Sequence, residues 1–153
     1  MRVLGIDLGR RRIGLAISDA SATLARPLKT IARASDADTV RQIRATMAAL
    51  DEEEGIDAVV VGLPTRLDGS PSDQTGHVER MIARLRRELD VPVYAQDERL
   101  SSREAESRLA LGEKDWRKRK LKLDAAAAAV ILQDYLDAHV SSPGTGQEGI
   151  TDT

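Results

Sequence analysis

Apolar residues recur along this chain in two rhythms, one belonging to strands and one to helices. The run Val3-Leu4-Gly5-Ile6-Asp7-Leu8-Gly9 is bulky and apolar except for a single acid, and it predicts a buried strand with a carboxylate near its end. Gly9-Arg10-Arg11 can turn the chain back. Ile13, Leu15 and Ile17 then alternate as one face of a second strand, making a hairpin. Residues 23–31 read as a third strand, which Pro27 confines to an edge. Ser35 and Asp38 have capping-box spacing, with Asp in place of Glu. They precede Val40, Ile43, Met47 and Leu50 at helical intervals, and Gly55 offers a stop after the solvated run Asp51-Glu52-Glu53-Glu54.

The second half alternates the two rhythms. Ala58-Val59-Val60-Val61-Gly62-Leu63-Pro64 is nearly unbroken and predicts a strand covered on both faces. A polar loop over 65–75 leads to a helix carrying Val78, Ile82, Leu85 and Leu89. Val93-Tyr94-Ala95 opens another strand, which runs into Gln96-Asp97-Glu98-Arg99. Ser101 and Glu104 form a capping box for a helix through Leu109, which Gly112 ends. A basic loop over 114–122 follows, and the last helix is expected from about Asp124, through an alanine run, to Leu136. Hairpin-linked strands followed by helix-linked strands predict an α/β fold: a mixed sheet of about five strands, flanked by helices on both faces.

A length of 153 residues suits one domain with a full core. Residues 1–139 are expected to form it. Residues 140–153, rich in Ser, Gly and Thr, are expected to be a disordered tail. No apolar run reaches transmembrane length, and the N-terminus lacks the zones of a signal peptide, so a cytoplasmic protein without a membrane partner is expected. The absence of cysteine excludes disulfides and thiolate metal sites. With no Phe, one Trp and two Tyr, the chain lacks the aromatic platforms that stack single-stranded nucleic acid.

Charge changes the picture more than composition does. Asp7 and Glu98 fall at strand ends, and Asp124 falls at the start of an alanine-rich helix that can approach the sheet closely. Ligand sites in parallel α/β sheets lie at the carboxyl ends of strands. Three carboxylates meeting there would repel one another, and a divalent cation would relieve that repulsion. An oxygen-only donor set suits magnesium or manganese rather than zinc, and a pair of such ions can promote phosphodiester cleavage. From spacing alone the same acids can equally be separate caps and ion pairs. Lys114, Arg117, Lys118, Arg119, Lys120 and Lys122 crowd the segment just before Asp124. Beside an acid site they would bind phosphates without reading sequence; otherwise they are a solvated loop. Arg10 and Arg11, at the first turn, join Arg117, Lys118, Arg119, Lys120 and Lys122 as the candidate nucleic-acid-binding set.

Four motifs in order carry a resemblance. Gly5-Ile6-Asp7-Leu8-Gly9 with Arg12-Ile13-Gly14-Leu15-Ala16 and Ser18-Asp19 resembles the opening of the YqgF family, also called RuvX. Val61-Gly62-Leu63-Pro64 with Asp68-Gly69 is similar to its second motif, and Asp97-Glu98-Arg99-Leu100-Ser101 to its third. Asp124-Ala125-Ala126-Ala127-Ala128 followed by Ile131-Leu132-Gln133-Asp134-Tyr135-Leu136 is similar to its last. The resemblance implies an RNase H-like fold related to the RuvC Holliday-junction resolvases. It also implies a bacterial cytoplasmic nuclease associated with maturing the 5′ end of pre-16S ribosomal RNA. Its acids fall on Asp7, Glu98 and Asp124 as catalytic and metal-binding residues, with Asp97 as a fourth candidate ligand, and Mg2+ or Mn2+, as a two-ion site, is the implied cofactor. Arg10 stands where a small residue is common, and Leu121-Lys122-Leu123 lacks a glycine often found before the last acid.

Structured RNA is therefore the expected partner of a monomer or weak homodimer. Branched DNA, cleaved as by a resolvase, is the alternative substrate, and a non-catalytic nucleic-acid-binding module is a further one. An ATP-binding module of the actin, Hsp70 and sugar-kinase type shares the first hairpin. It would need a second glycine-rich hairpin and a second domain of similar size, which the chain lacks.

Overall fold

In a computed structural model, the structure describes residues 1–51, 55–66, 68–98 and 116–139, with side chains undescribed for Asp51 and for 116–124. Strands β1 (Val3–Leu8), β2 (Arg12–Ser18) and β3 (Ala25–Ala32) are followed by helix α1 (Asp36–Asp51). Then come β4 (Ala58–Pro64), α2 (Thr75–Glu88), β5 (Val93–Glu98) and α3 (Trp116–His139). The five strands form one sheet in the order β3-β2-β1-β4-β5. β1, β2 and β3 pair antiparallel, whereas β1 with β4 and β4 with β5 are parallel. The sheet is thus mixed, as its sequence rhythms predict, and RNase H-like, as the family resemblance implies.

Alternation along the pleat divides the core in two. Leu4, Ile6 and Leu8 of β1 pack with Ile13, Leu15, Ile17, Val59 and Val61 beneath α1 and α2, which supply Val40, Ile43, Val78, Ile82 and Leu85. The other face brings Val3, Ala16 and Val60 against Ala128, Ile131, Leu132, Tyr135 and Leu136 of α3. Each strand of the centre is therefore covered on both sides, which is why β4 reads as a continuous apolar run.

Local signals explain several boundaries. The Ser35 hydroxyl accepts a hydrogen bond from the Asp38 amide at 3.1 Å, as a helix cap does, while the Asp38 carboxylate turns to Arg41 and Gln42. Gly55 holds a positive φ of 79° after α1. Pro27 lies in the edge strand opposite Ala16, where the β2–β3 register shifts, so its missing amide breaks no central ladder.

One boundary differs from the expected one. The last helix begins at Trp116, not near Asp124, so the basic positions 117–122 belong to its first turns rather than to a loop. Lys, Arg and Leu are good helix formers and nothing in the segment breaks a helix, so the alanine run continues a helix already under way. The expected helix through Leu109, the acids Glu52–Glu54, Lys114 and the expected tail over 140–153 lie outside the described residues. No helix among the described residues is long and apolar enough to cross a membrane.

Candidate active site

Because β1, β4 and β5 run parallel, their carboxyl ends share one edge of the sheet. Asp7 lies near the end of β1 and Glu98 at the end of β5. Register places Ile6 beside Val61 and Pro64 beside Glu98. Alternation then puts Asp7, Gly62, Pro64 and Glu98 on the face that α3 covers. Gly62 lies between the two acid-bearing strands and contributes no side chain there. The result is a cleft of about 320 Å³ that both acids line, with Gly9 and Thr65 at its edges and Ala127 and Ile131 of α3 above. Asp7 is half-buried and Glu98 only 9% exposed. A carboxylate as buried as that of Glu98 is costly unless positive charge or donors reach it.

Small residues set how closely α3 approaches. A Cβ on Gly5 would stand 2.8 Å from Leu132 Cβ and 3.1 Å from the Ala128 carbonyl oxygen, and one on Gly62 would stand 2.4 Å from Ile131 Cδ1. The helix therefore rests on glycines of β1 and β4. Position 124 precedes Ala127, which lines the cleft, by three residues and Ala128 by four. Helical geometry puts those positions on one side. The side chain of Asp124 lies outside the described residues, as do those of Arg117, Lys118, Arg119, Lys120 and Lys122, whose backbone belongs to the turns just before it. Arg10 and Arg11 are exposed at the β1–β2 turn beside the cleft. Among the described residues no three metal-ligating side chains stand together.

The neighbouring acids 97 and 98 separate. Asp97 is exposed, alternates to the opposite side of β5 from Glu98, and accepts a 2.6 Å hydrogen bond from the Thr65 hydroxyl. It does not line the cleft, although Thr65 does.

Sequence reasoning passed over the polar loop after β4. Thr65 bridges Pro71, Gly69 turns with φ 87°, and Ser70 bonds the Asp68 carboxylate through both its amide and hydroxyl. The Thr75 hydroxyl donates to the Pro64 carbonyl at 2.5 Å and accepts from the Ser72 amide at 2.7 Å, tying the start of α2 to the end of β4. Ser72 and Gln74 thereby reach the cleft. The signal was available, since a polar loop leaving the carboxyl end of a central parallel strand is where such folds bind ligands.

The sheet order, with an antiparallel hairpin beside parallel strands, defines an RNase H-like domain. The chain belongs to the RuvX family, whose model, described as a Holliday junction resolvase, matches residues 1–138. It is 44% identical over 147 residues to a Chloroflexus aurantiacus protein named "Putative pre-16S rRNA nuclease", covering 95% of this chain and 93% of that one. A Geobacillus kaustophilus protein of the same name is 40% identical over 138 residues, covering 90% and 99%. In fold it is similar to Thermus thermophilus RuvC, solved with a Holliday junction substrate. The TM-score is 0.50 at 22% identity, covering 90% of this chain and 94% of RuvC.

Proposed function

We propose that this protein is a metal-dependent nuclease that hydrolyses phosphodiester bonds, acting in maturation of the 5′ end of pre-16S rRNA. The observation that carries the reading is the convergence of Asp7 and Glu98 in one cleft at the carboxyl ends of β1 and β5. Family membership and relatives named for pre-16S rRNA support the substrate. On this reading the protein works in the cytoplasm, where ribosomal RNA is made, as a monomer or weak homodimer.

The donor chemistry fits a divalent cation. Both cleft acids offer only carboxylate oxygens, and the chain has no cysteine. Its two histidines are engaged elsewhere, His77 with Arg33 and His139 stacked on Tyr135. Asp7 and Glu98, with Asp124 from α3, would hold Mg2+ or Mn2+, hard ions that prefer oxygen. When bound, such ions lower the pKa of a coordinated water and stabilise the leaving oxygen. The chain's own part is to orient and to exclude. The apolar side chain of Ile131 walls the cleft, and Ser72 and Gln74 offer hydroxyl and amide groups to a sugar or phosphate. Arg10, Arg11 and the cations of the first turns of α3 would draw the phosphate backbone toward the acids. Asp97 is assigned to holding Thr65 rather than to the metal.

Holliday-junction cleavage is the second reading, favoured by the description of the matching family model. One experiment separates the two: purified protein with Mg2+ on a 5′-extended 16S precursor RNA, beside a four-way DNA junction. Cleavage of the RNA with the junction left intact supports the proposal. Junction cleavage alone assigns the protein to the resolvases, and no metal-dependent cleavage of either refutes the nuclease reading.

A further inference from the structure

We propose that Arg33 is a positioning residue for the Asp7 site, pinning the β1–β2 turn from behind, and that His77 orients it. This rests on the nuclease reading only in what the turn positions. Gly9 leaves Asp7 after one residue and lines the same cleft, so the path of the turn sets where β1 ends. The turn is tight: the Gly9 amide donates to the Asp7 carbonyl at 3.2 Å, and a Cβ on Gly9 would stand 2.4 Å from the Arg12 carbonyl oxygen. Arg33 takes two carbonyls of this turn. Its Nη1 donates to Gly9 O at 3.1 Å and its backbone amide donates to Arg11 O at 2.9 Å.

A long arginine holds a carbonyl in place only if its own guanidinium is held. Nη2 lies 2.7 Å from His77 Nε2 on α2 and 3.4 Å from Asp36 Oδ1 at the start of α1. Arginine has donors and no acceptor, and it does not lose its proton in proteins. A ring nitrogen of His77 therefore accepts from it: Nε2 is the nearer, and Nδ1 stands 3.3 Å from the same Nη2. The carboxylate of Asp36 lies 3.3 Å from Nε2. The Arg33 and His77 side chains are 22% and 27% exposed. This is a partly desolvated three-element contact rather than a surface pair of little worth. It links both helices of one sheet face to the turn that follows the cleft acid.

A role confined to gluing α1 to α2 predicts lower stability and an unchanged site. A positioning role predicts a changed site. The test compares Arg33→Met, His77→Leu and His77→Gln, whose amide oxygen can replace the ring-nitrogen acceptor. Three readouts are made on the full-length protein: Mn2+ affinity without substrate, amide hydrogen exchange at Gly9 and Arg10, and kcat and KM on whichever substrate the wild type cuts. Arg33→Met and His77→Leu are expected to weaken Mn2+ binding about tenfold, as loss of an outer-shell support does, and to speed exchange at the turn. They should lower kcat about tenfold or more with KM within about twofold, since misplaced groups lose rate rather than affinity. His77→Gln should restore all three. Should Arg33→Met fail to fold, the two His77 variants decide by the same readouts. If the wild type cuts nothing, the nuclease reading fails, and metal affinity and exchange alone decide this one. A lowered melting temperature with Mn2+ affinity and turn exchange as in wild type would overturn it, as would failure of His77→Gln to restore what His77→Leu loses.

Discussion

A carboxylate inside an apolar strand costs free energy that an ordinary turn residue does not, so Asp7 asks for an explanation before any fold is known. The same holds less clearly for 97 and 98, where two acids adjoin. Only the pleat decides between them: Glu98 falls on the α3 side with Asp7, and Asp97 turns away to Thr65. That parity depends on where pairing with β4 begins, which a six-residue strand ending in polar residues does not reveal. We expect Glu98→Gln to lower cleavage by about a hundredfold or more, since on the proposed reading it would remove a metal-binding charge. Asp97→Asn keeps an acceptor for Thr65 and should stay within about threefold of wild type, because such a hydrogen bond contributes about 1 kcal/mol or less. Initial rates of the two variants at saturating Mg2+ check this. Asp124→Asn should resemble Glu98→Gln in rate while holding or raising metal-free stability, because crowded carboxylates repel. A mere cap would be replaced by Asn with little effect on either. Arg33 and His77 stood out to no sequence rule. They meet across 44 positions, and their contact exists only once α1 and α2 share a face.

At the scale of elements, strands and helices were legible where one rhythm persisted. The hairpin, the edge placement of Pro27, the cap at Ser35 and the buried run of β4 all follow from local chemistry. The start of α3 did not, because the segment 116–122 is charged and carries no amphipathic stripe, although its helix propensity is high. The contact of α3 with the sheet depends on two glycines, and they differ in what a methyl would meet. At Gly5 the obstacle includes the Ala128 backbone, whereas at Gly62 it is side chain alone, with Ile131 Cδ1 the nearest atom. Gly5→Ala should therefore destabilise by about 1–3 kcal/mol, as overpacking does, and Gly62→Ala by less. Urea midpoints at constant m check the order.

The far end of α3 makes a second prediction at this scale. Burial, and then the neighbouring Tyr94, push the Tyr135 phenol above its ordinary 10.0. The fold thus favours the protonated ring. The associated stability is fully present below pH 10.0 and is lost as pH rises past it through the raised value. Tyr135→Phe should flatten the alkaline fall in melting temperature, and an identical fall in the variant would contradict the assignment.

For the whole molecule, a net charge of −2 conceals the separation that matters, with acids at the cleft and cations at 117–122 and at the β1–β2 turn. Neutralising Lys118, Arg119 and Lys120 together should weaken nucleic-acid binding and reduce the slope of log affinity against log salt by roughly two to three. An unchanged slope would show that these cations only solvate the helix. Strand directions could be inferred from connection lengths, whereas the order β3-β2-β1-β4-β5 needed the structure, since several orders satisfy the same connections. That order makes β1 central and brings Asp7 within one strand of Glu98. The most direct measurement of the central claim is Mn2+ binding and precursor-RNA cleavage by wild type and Asp7→Asn, side by side. The account predicts that the wild type binds Mn2+ and cuts the RNA only with metal, and that Asp7→Asn, still folded, loses most of both. Metal affinity and cleavage in Asp7→Asn equal to wild type would contradict it.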